Sequence, residues 1–425
     1  MSDRFDSLPL THVGDISGTF FKRNLLKQLT ELKHGRLTLI ERSESYHFGS
    51  ARRDEPLHAE VRIIDPDTYQ RMALGGSVGV AEAYMDGAWE VDDLTALVRI
   101  FVRNRDVLDG MESGIAKFAT SALKLWHNWR RNSKSGSRRN IAAHYDLGND
   151  FFELFLDPTL MYSSAMYAHE GESLEVAQQR KLDRICQKLD LRPGQRLIEI
   201  GTGWGGFALH AAQRYGVHVT TTTISQRQHE LAKSRIAQAE LQDRVTLLLK
   251  DYRELDGQYD KLVSIEMIEA VGHQYLDTYF AKVSSLLKDD GLGLIQAITI
   301  EDHRYEMALK EVDFIKRHIF PGSFIPSVSA MVGSLRKVSD LRLINLEDFG
   351  ASYALTLKAW RERFMERLSQ VRLQGYSDAF SRMWHYYFAY CEGGFLERSI
   401  SDVHLLLAKP QNRRSQFLPD VGSSI

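Results

Sequence analysis

The sequence predicts an α/β protein, a mostly parallel sheet covered by helices, preceded by a small α+β N-terminal domain. Three observations carry this reading. From Ile141 onward, strand-like and helix-like segments alternate, the pattern of a parallel sheet with helices on both faces. Its first apolar strand, Leu197 to Ile200, runs into a glycine-rich turn that opens a helix. Before residue 110 the pattern is different, with short strand-like runs and clustered glycines.

In that first region, Leu37-Thr38-Leu39-Ile40 and Glu60 to Ile64 read as strands among helical stretches. Gly75, Gly76 and Gly79 precede the turn Met85-Asp86-Gly87 and the aromatic Trp89. Residues 111–140 change character. No acidic residue occurs between Ser113 and Tyr145, while Lys117, Lys124, Arg130, Arg131, Lys134, Arg138 and Arg139 supply positive charge. Ile115, Phe118, Ala122, Leu125, Trp126 and Trp129 recur at three- and four-residue steps. Such a basic amphipathic helix lies in a lipid interface or packs as a linker on a neighbouring domain; its bulky aromatics favour lipid.

Across 141–410, the expected strands are Arg196–Ile200, Val217–Thr223, Val245–Leu249, Lys261–Ile265 and Gly291–Ile300, the last opened by an Asp289-Asp290-Gly291 turn. The expected helices are Trp204–Tyr215, Gln226–Glu240 and Gln274–Lys288. Late helices at Leu355–Val371 and Asp378–Leu396 accompany strands at Arg342–Leu346 and Asp402–Leu407, and residues 411–425 form a tail. The chain thus divides into an N-terminal domain (1–110), a basic linker (111–140), a catalytic domain (141–410) and the tail.

Composition narrows the function. A net charge of −2 gives no global reason for nucleic-acid binding. Cys186 and Cys391 are too few and too distant for a CxxC metal site or a disulfide framework, and no metal is expected. The N-terminus lacks a secretory pattern, and no apolar run spans a bilayer. The expectation is a cytoplasmic protein that meets membrane from outside.

The glycine loop, Glu199-Ile200-Gly201-Thr202-Gly203-Trp204-Gly205-Gly206, allows two cofactor readings. As GxGxxG it fits a dinucleotide, which calls for an acid about 20 positions on. The second strand instead ends Thr220-Thr221-Thr222-Thr223-Ile224-Ser225-Gln226. As ExGxG it fits the Rossmann-like loop of class I methyltransferases, which commonly also carry an acid there. The loop alone leaves the choice open.

From about Leu57 to Leu407 the chain resembles the cyclopropane-fatty-acyl-phospholipid synthases and their mycolic acid relatives. The resemblance rests on AHYDLGNDFFELFLDPTLMYSSAMY, GTGWGGFA, TTTISQRQ, KDYRELDGQYDKLVSIEMIEAVG, FIKRHIFPGSFIPS, FGASYALTLKAW and YYFAYCEGGF, in that order. It implies S-adenosyl-L-methionine as cofactor. By position, Tyr162 and Ser163 would hold its methionyl end over Gly201 and Gly203. Thr223 and Gln228 would lie along the ribose, and Asp251 and Tyr252 beside the adenine. Glu269, Ile298 and Tyr353 match positions around a bicarbonate, with Tyr145 lining the same cavity. Cys391 matches a cysteine near the site, and as a small helix residue it also reads as packing.

Two positions depart from the family. Ser164 stands where a cysteine is usual and Gln296 where a histidine is usual. Neither titrates near neutrality, which puts bicarbonate and the reaction's outcome in question.

The implied reaction adds one carbon to the double bond of an unsaturated acyl chain of a membrane phospholipid. Cyclopropane formation is the first expectation and a methylene- or methyl-branched chain the second. A cationic intermediate calls for aromatic faces such as Tyr145, Tyr353, Phe151, Phe152 and Phe155, unless those phenylalanines are core. Phe314, Ile319, Phe320, Phe324 and Ile325 would line an acyl tunnel or simply pack. The expected partners are phospholipid acyl chains at a membrane surface and a second copy of the chain in a homodimer. A methyltransferase of soluble acceptors and a non-catalytic lipid-binding protein are the rival readings.

Overall fold

The computed structural model describes residues 13–50, 56–106 and 147–415. The basic stretch 111–140, Tyr145 and residues 416–425 lie outside them. The chain divides into two compact units, one of residues 1–125 with 375–397, the other of 126–374 with 398–425.

In the first unit, β1 (Gly35–Glu41), β2 (Glu44–Ser50), β3 (His58–Ile63) and β4 (Trp89–Val91) form a sheet of order β2-β1-β3-β4. Only β1 and β3 pair parallel. Around it are α1 (Val13–Leu29), α2 (Thr68–Met85) and α3 (Leu94–Arg103). Asp93 caps α3 by accepting the Ala96 N–H at 2.9 Å.

The helix Asp378–Leu396 belongs to this unit, although the sequence reading put it in the catalytic domain. Its packing gives the reason. A Cβ at Gly393 would fall 2.6 Å from Val98 Cγ1, so glycine is what lets this helix close on α3. Arg99 and Arg103 each bond Glu397 at 2.6 Å.

The second unit is built on a seven-stranded sheet of order β10-β11-β9-β8-β5-β6-β7. Its strands are β5 (Arg196–Ile200), β6 (His218–Thr223), β7 (Val245–Leu249), β8 (Tyr259–Ile265), β9 (Leu287–Ile300), β10 (Arg342–Asp348) and β11 (Ile400–Ala408). All run parallel except β11, which lies antiparallel between β9 and β10. The longer helices are α4 (Leu174–Lys188), α5 (Gly206–Tyr215), α6 (Gln226–Gln238), α7 (Leu276–Leu286), α8 (Val328–Val338) and α9 (Gly350–Glu366).

Alternate residues of the central strands feed opposite faces. Ile198, Leu262, Ile295 and Leu405 pack with Tyr279, Phe280 and Val283. Their neighbours Leu197, Val263, Leu294 and Leu406 pack with Ile185, Phe207 and Ala211. Two buried faces are why these strands read as unbroken apolar runs.

Some elements differ from the sequence reading, and three of the differences have a visible cause. The expected turn at Asp289-Asp290-Gly291 is an irregularity within β9, where the register passes from Tyr259↔Leu287 to Lys261↔Leu292. The helix expected from Leu355 begins at Gly350, whose missing side chain makes room for Ser401. Helix α4 went unread because its buried face, Leu174, Ala177, Gln178, Lys181, Leu182, Ile185 and Lys188, includes two lysines and a glutamine. A search for apolar periodicity passes over such a stripe.

Candidate active site at the carboxyl end of the sheet

The strand order reverses between β5 and β8, and open α/β sheets bind ligands beyond the carboxyl ends of strands at such a point. Here β5 enters the glycine loop. Gly201 (φ 102°) and Gly203 (φ 52°) occupy conformations that side chains disfavour. Thr222 C=O accepts the Gly201 and Thr202 N–H groups at 3.1 and 2.9 Å, which anchors the loop to β6. Among the described residues, a Cβ on Gly203 would meet nothing within 4 Å, which leaves open space at the loop. Beneath it, Glu199 accepts the Thr221 hydroxyl at 2.6 Å, and burial pushes its carboxyl up to about 8.

The other cofactor candidates follow the neighbouring strands. Thr223, ending β6, donates to Gln228 Oε1 at 2.9 Å, and both are buried. After β7, Arg253 grips both Asp251 oxygens at 2.7 Å. The Tyr252 hydroxyl is buried without a partner among the described residues, and burial pushes it up to about 12. The loop space and this unpaired hydroxyl fit a nucleoside cofactor. Tyr162 packs its ring 5.3 Å from both Phe152 and Trp360. Ser163 accepts from Lys181 Nζ at 2.7 Å.

A second cluster stands across the switch point. Glu266, directly after β8, has φ 46°, a left-handed conformation uncommon for a residue with a side chain. Its Oε1 accepts the Ser164 N–H at 2.8 Å and the Gln296 amide at 2.7 Å, and its Oε2 accepts the Tyr353 hydroxyl at 2.7 Å. The Gln296 amide also reaches Asp402 Oδ2 at 2.8 Å, and His404 Nε2 lies 3.3 Å from Gln296 Oε1. The cross-strand register explains this: His404 opposes Gln296 and Asp402 opposes Ile298. Burial, with Glu266 beside it, holds Asp402 far above the usual carboxylate range, and burial holds His404 neutral.

Glu269 lies one turn further on. Its Oε1 accepts the Ile298 N–H at 2.7 Å, whereas its Oε2 is buried without a partner among the described residues. The residue as a whole is half-buried, but this oxygen is sealed. Burial first, and Glu266 second, push the carboxyl up to about 8.

Of the expected site residues, Ser164, Gln296, Glu269, Ile298 and Tyr353 therefore converge. Cys391 stands half-buried on the helix Asp378–Leu396 of the other unit. Phe151, Phe152 and Phe155 are fully buried and interlock at 5.5–5.9 Å, as core residues do. Phe314, Ile319 and Phe324 are also buried, while Phe320 and Ile325 are half-buried.

Sequence reasoning missed Glu266, Asp402, His404 and Lys181. Signals existed: two glutamates three apart at the end of a strand, and Asp402 and His404 alternating within an apolar strand. Lys181 gave none. It is fully buried, and burial lowers it to about 8 against the pull of Glu266, Asp402, Asp157 and Glu199.

The bicarbonate that the resemblance implied does not fit these residues. The Ser164 N–H, the Gln296 amide and the Tyr353 hydroxyl, donors suited to such an anion, are spent on Glu266.

Comparison with known proteins agrees with the geometry. Residues 132–405 match the family described as mycolic acid cyclopropane synthetase. Tuberculostearic acid methyltransferase UfaA1 of Mycobacterium tuberculosis is 38% identical over 349 residues, covering 80% of this chain and 81% of that protein. Cyclopropane-fatty-acyl-phospholipid synthase of Escherichia coli is 38% identical over 344 residues, covering 80% and 86%. The solved structure of mycolic acid cyclopropane synthase CmaA1, complexed with SAH and CTAB, aligns with a TM-score of 0.60 at 30% identity, covering 64% of this chain and 98% of that one. The sheet order, the glycine loop and these matches lead to one conclusion: the chain belongs to the mycolic acid cyclopropane synthetase family of S-adenosylmethionine-dependent methyltransferases.

Proposed function

We propose that the enzyme transfers the methylene unit of S-adenosylmethionine to the double bond of an unsaturated fatty acyl chain of membrane phospholipid, forming a cyclopropane. The observation that carries this reading is the pair of carboxyl groups on the half-buried residues Glu266 and Glu269, set across the switch point from the Gly201–Gly203 loop. Bound at that loop, S-adenosylmethionine supplies an electrophilic methyl group.

An alkene is a weak nucleophile, so the protein's part is to align it and exclude water. Attack leaves positive charge on the neighbouring carbon. Aromatic faces stabilise such a cation by about 2 kcal/mol or more in a dry site, and Tyr162, Trp360 and Tyr353 form a contiguous group, with Tyr353 and Trp360 6.1 Å apart. Glu269 Oε2, short of a hydrogen-bond donor, adds negative charge when ionised. Loss of a proton from the added methyl then closes the ring.

A second reading, a methylene- or methyl-branched chain, is supported by Glu266 itself. A side-chain carboxylate is tethered to β8 at one depth, and a base so tethered can take its proton from a chain carbon instead.

The acyl chains are reached from the cytoplasmic face of a membrane, on which the enzyme sits peripherally. The basic residues of 111–140 support this, since about 1 kcal/mol accrues per cationic side chain near an anionic surface. No helix among the described residues is long and apolar enough to cross a membrane.

Incubation with unsaturated phospholipid vesicles and methyl-labelled cofactor, followed by NMR of the acyl products, tests the proposal. Cyclopropane proton signals are expected. Olefinic methylene or branched-methyl signals would replace the first reading by the second. Label transferred only to soluble acceptors would refute both.

A further inference from the structure

The polar cluster around Glu266 is complete without any bound anion. Both of its oxygens are engaged, by one backbone N–H, one amide and one phenol. These are the groups that suit a small oxyanion, and here a side chain of the protein presents the oxyanion to them. The backbone adopts φ 46° at Glu266 to deliver it. Strain of that kind persists where surrounding contacts over-determine it, and it clusters at functional sites.

Asp402 completes the arrangement. It is fully buried on β11 and shares the Gln296 amide with Glu266. Two carboxyl groups crowded round one buried amide do not both ionise, so the pair retains a proton. Glu266 has the three donors, while Asp402 has one, from Gln296, and leaves its Oδ1 without a partner among the described residues. The negative charge therefore resides on Glu266 and the proton on Asp402. Lys181, sealed nearby and attracted first of all to Glu266, balances the charge.

We infer that the Glu266 carboxylate is a resident proton acceptor that takes the place of a dissolved bicarbonate, with Asp402 as the positioning residue that holds it. This rests on the proposed reaction, in which a substrate cation must lose a proton. The step balances without an external reagent. A C–H bond of the cation breaks, and its electrons form the new carbon–carbon bond of the ring or branch alkene. The proton passes to the Tyr353 oxygen while the Tyr353 hydroxyl proton moves to Glu266 Oε2. Glu266 later releases it to solvent.

Two measurements on the full chain test the inference. The first needs no substrate: 13C-bicarbonate is titrated with the purified protein and its NMR linewidth followed. The wild type is expected to leave the line unchanged and Glu266→Gly, which empties the cradle and relieves the left-handed backbone, to broaden it. Broadening by the wild type would overturn the inference, and so would an unbroadened line with folded Glu266→Gly. Should that variant fail to fold, Glu266→Gln provides the acceptor test, because it keeps the shape and removes the base.

The second measurement is turnover on vesicles in CO2-stripped buffer. Wild-type rates are expected to be the same with and without added bicarbonate. Glu266→Gln loses about 100-fold or more in kcat, the scale of a lost general base, and Glu266→Gly recovers part of the same loss when bicarbonate is added. Asp402→Ala lowers kcat with KM little changed, and Asp402→Asn, which keeps the shape and the neutrality of the protonated acid, restores most of that loss. A wild-type rate that collapses on stripping, or Asp402→Asn as damaging as Asp402→Ala, would refute the assignment. If vesicles yield no product under any condition, the proposed reaction fails while the bicarbonate titration still decides what the cradle holds.

Discussion

Lys181 Nζ donates to Ser163 Oγ at 2.7 Å from a position with no exposed surface. The bond ties α4 to the loop carrying Tyr162 and Ser164, and it places a cation among Glu266, Asp402, Asp157 and Glu199. Removing one member of a buried charge group leaves the rest uncompensated, at a cost of about 3–5 kcal/mol. Lys181→Ala is expected to lose that much stability in urea unfolding. Ser163→Ala, which deprives the ammonium of its only described acceptor, is expected to lose about 1–3 kcal/mol. Equal, small losses for both would show that Lys181 does not hold the cluster together.

Glu269→Gln is expected to lower kcat by about 100-fold to 10,000-fold and to leave S-adenosylhomocysteine affinity by calorimetry within about twofold, a difference of ~0.4 kcal/mol. The Ile298 N–H can still be accepted by the amide oxygen, so the loop should keep its shape. Normal turnover in this variant would remove Glu269 from the mechanism.

Gly203→Val tests the loop. The substitution places a β-branched side chain at φ 52° and projects it into the space left open above Gly203. The backbone strain amounts to about 1–2 kcal/mol, visible as a modest fall in Tm. Cofactor affinity is expected to fall much further, and calorimetry with S-adenosylhomocysteine separates the two. Retained affinity would mean that the cofactor does not pass over Gly203.

Stability should depend on pH with a minimum near 8. Glu199 and Glu269 are raised to about 8 in the folded protein, each chiefly by burial, and Glu269 also by Glu266. Between the unfolded value near 4.5 and about 8, the folded state therefore holds protons that the unfolded state has released. Stability falls as pH rises through that window, by at most about 1.4 kcal/mol per pH unit for each group. Lys181, lowered to about 8 by burial, acts with the opposite sign. From about 8 to 10.5 the unfolded state holds the extra proton, so stability is regained. Urea titrations across this range should show the minimum. Glu199→Gln should shallow its acid limb, and an unchanged limb would mean that Glu199 is not protonated in the folded state.

Much of the architecture was legible in the chain because it is encoded locally. The run Leu197–Ile200 followed by Gly201, Gly203 and Gly206 states strand, turn and helix within ten residues, and β6, β7 and β8 lie close to where alternation places them. At the Thr-rich end of β6, Thr223 has a local partner in Gln228, whereas Thr221 reaches Glu199 on the neighbouring strand. The glycine loop was therefore readable as strand, turn and helix without coordinates, while its cofactor was not.

What the folded structure alone decided involves residues far apart in sequence. Ser164 meets Glu266 across 102 positions, and Gln296 meets Asp402 across 106. Read singly, Ser164 and Gln296 were departures from a family pattern, and Lys181 was an ordinary charged residue. Only the pairing of β8, β9 and β11 brings them to one point, where the donors find a carboxylate already in place. The same holds for the helix Asp378–Leu396, whose amphipathic pattern says that it must be covered but not by which unit. Local sequence sets conformation through short-range sterics and hydrogen bonds. Which buried charges neutralise one another depends on strand order and register, which no single segment contains.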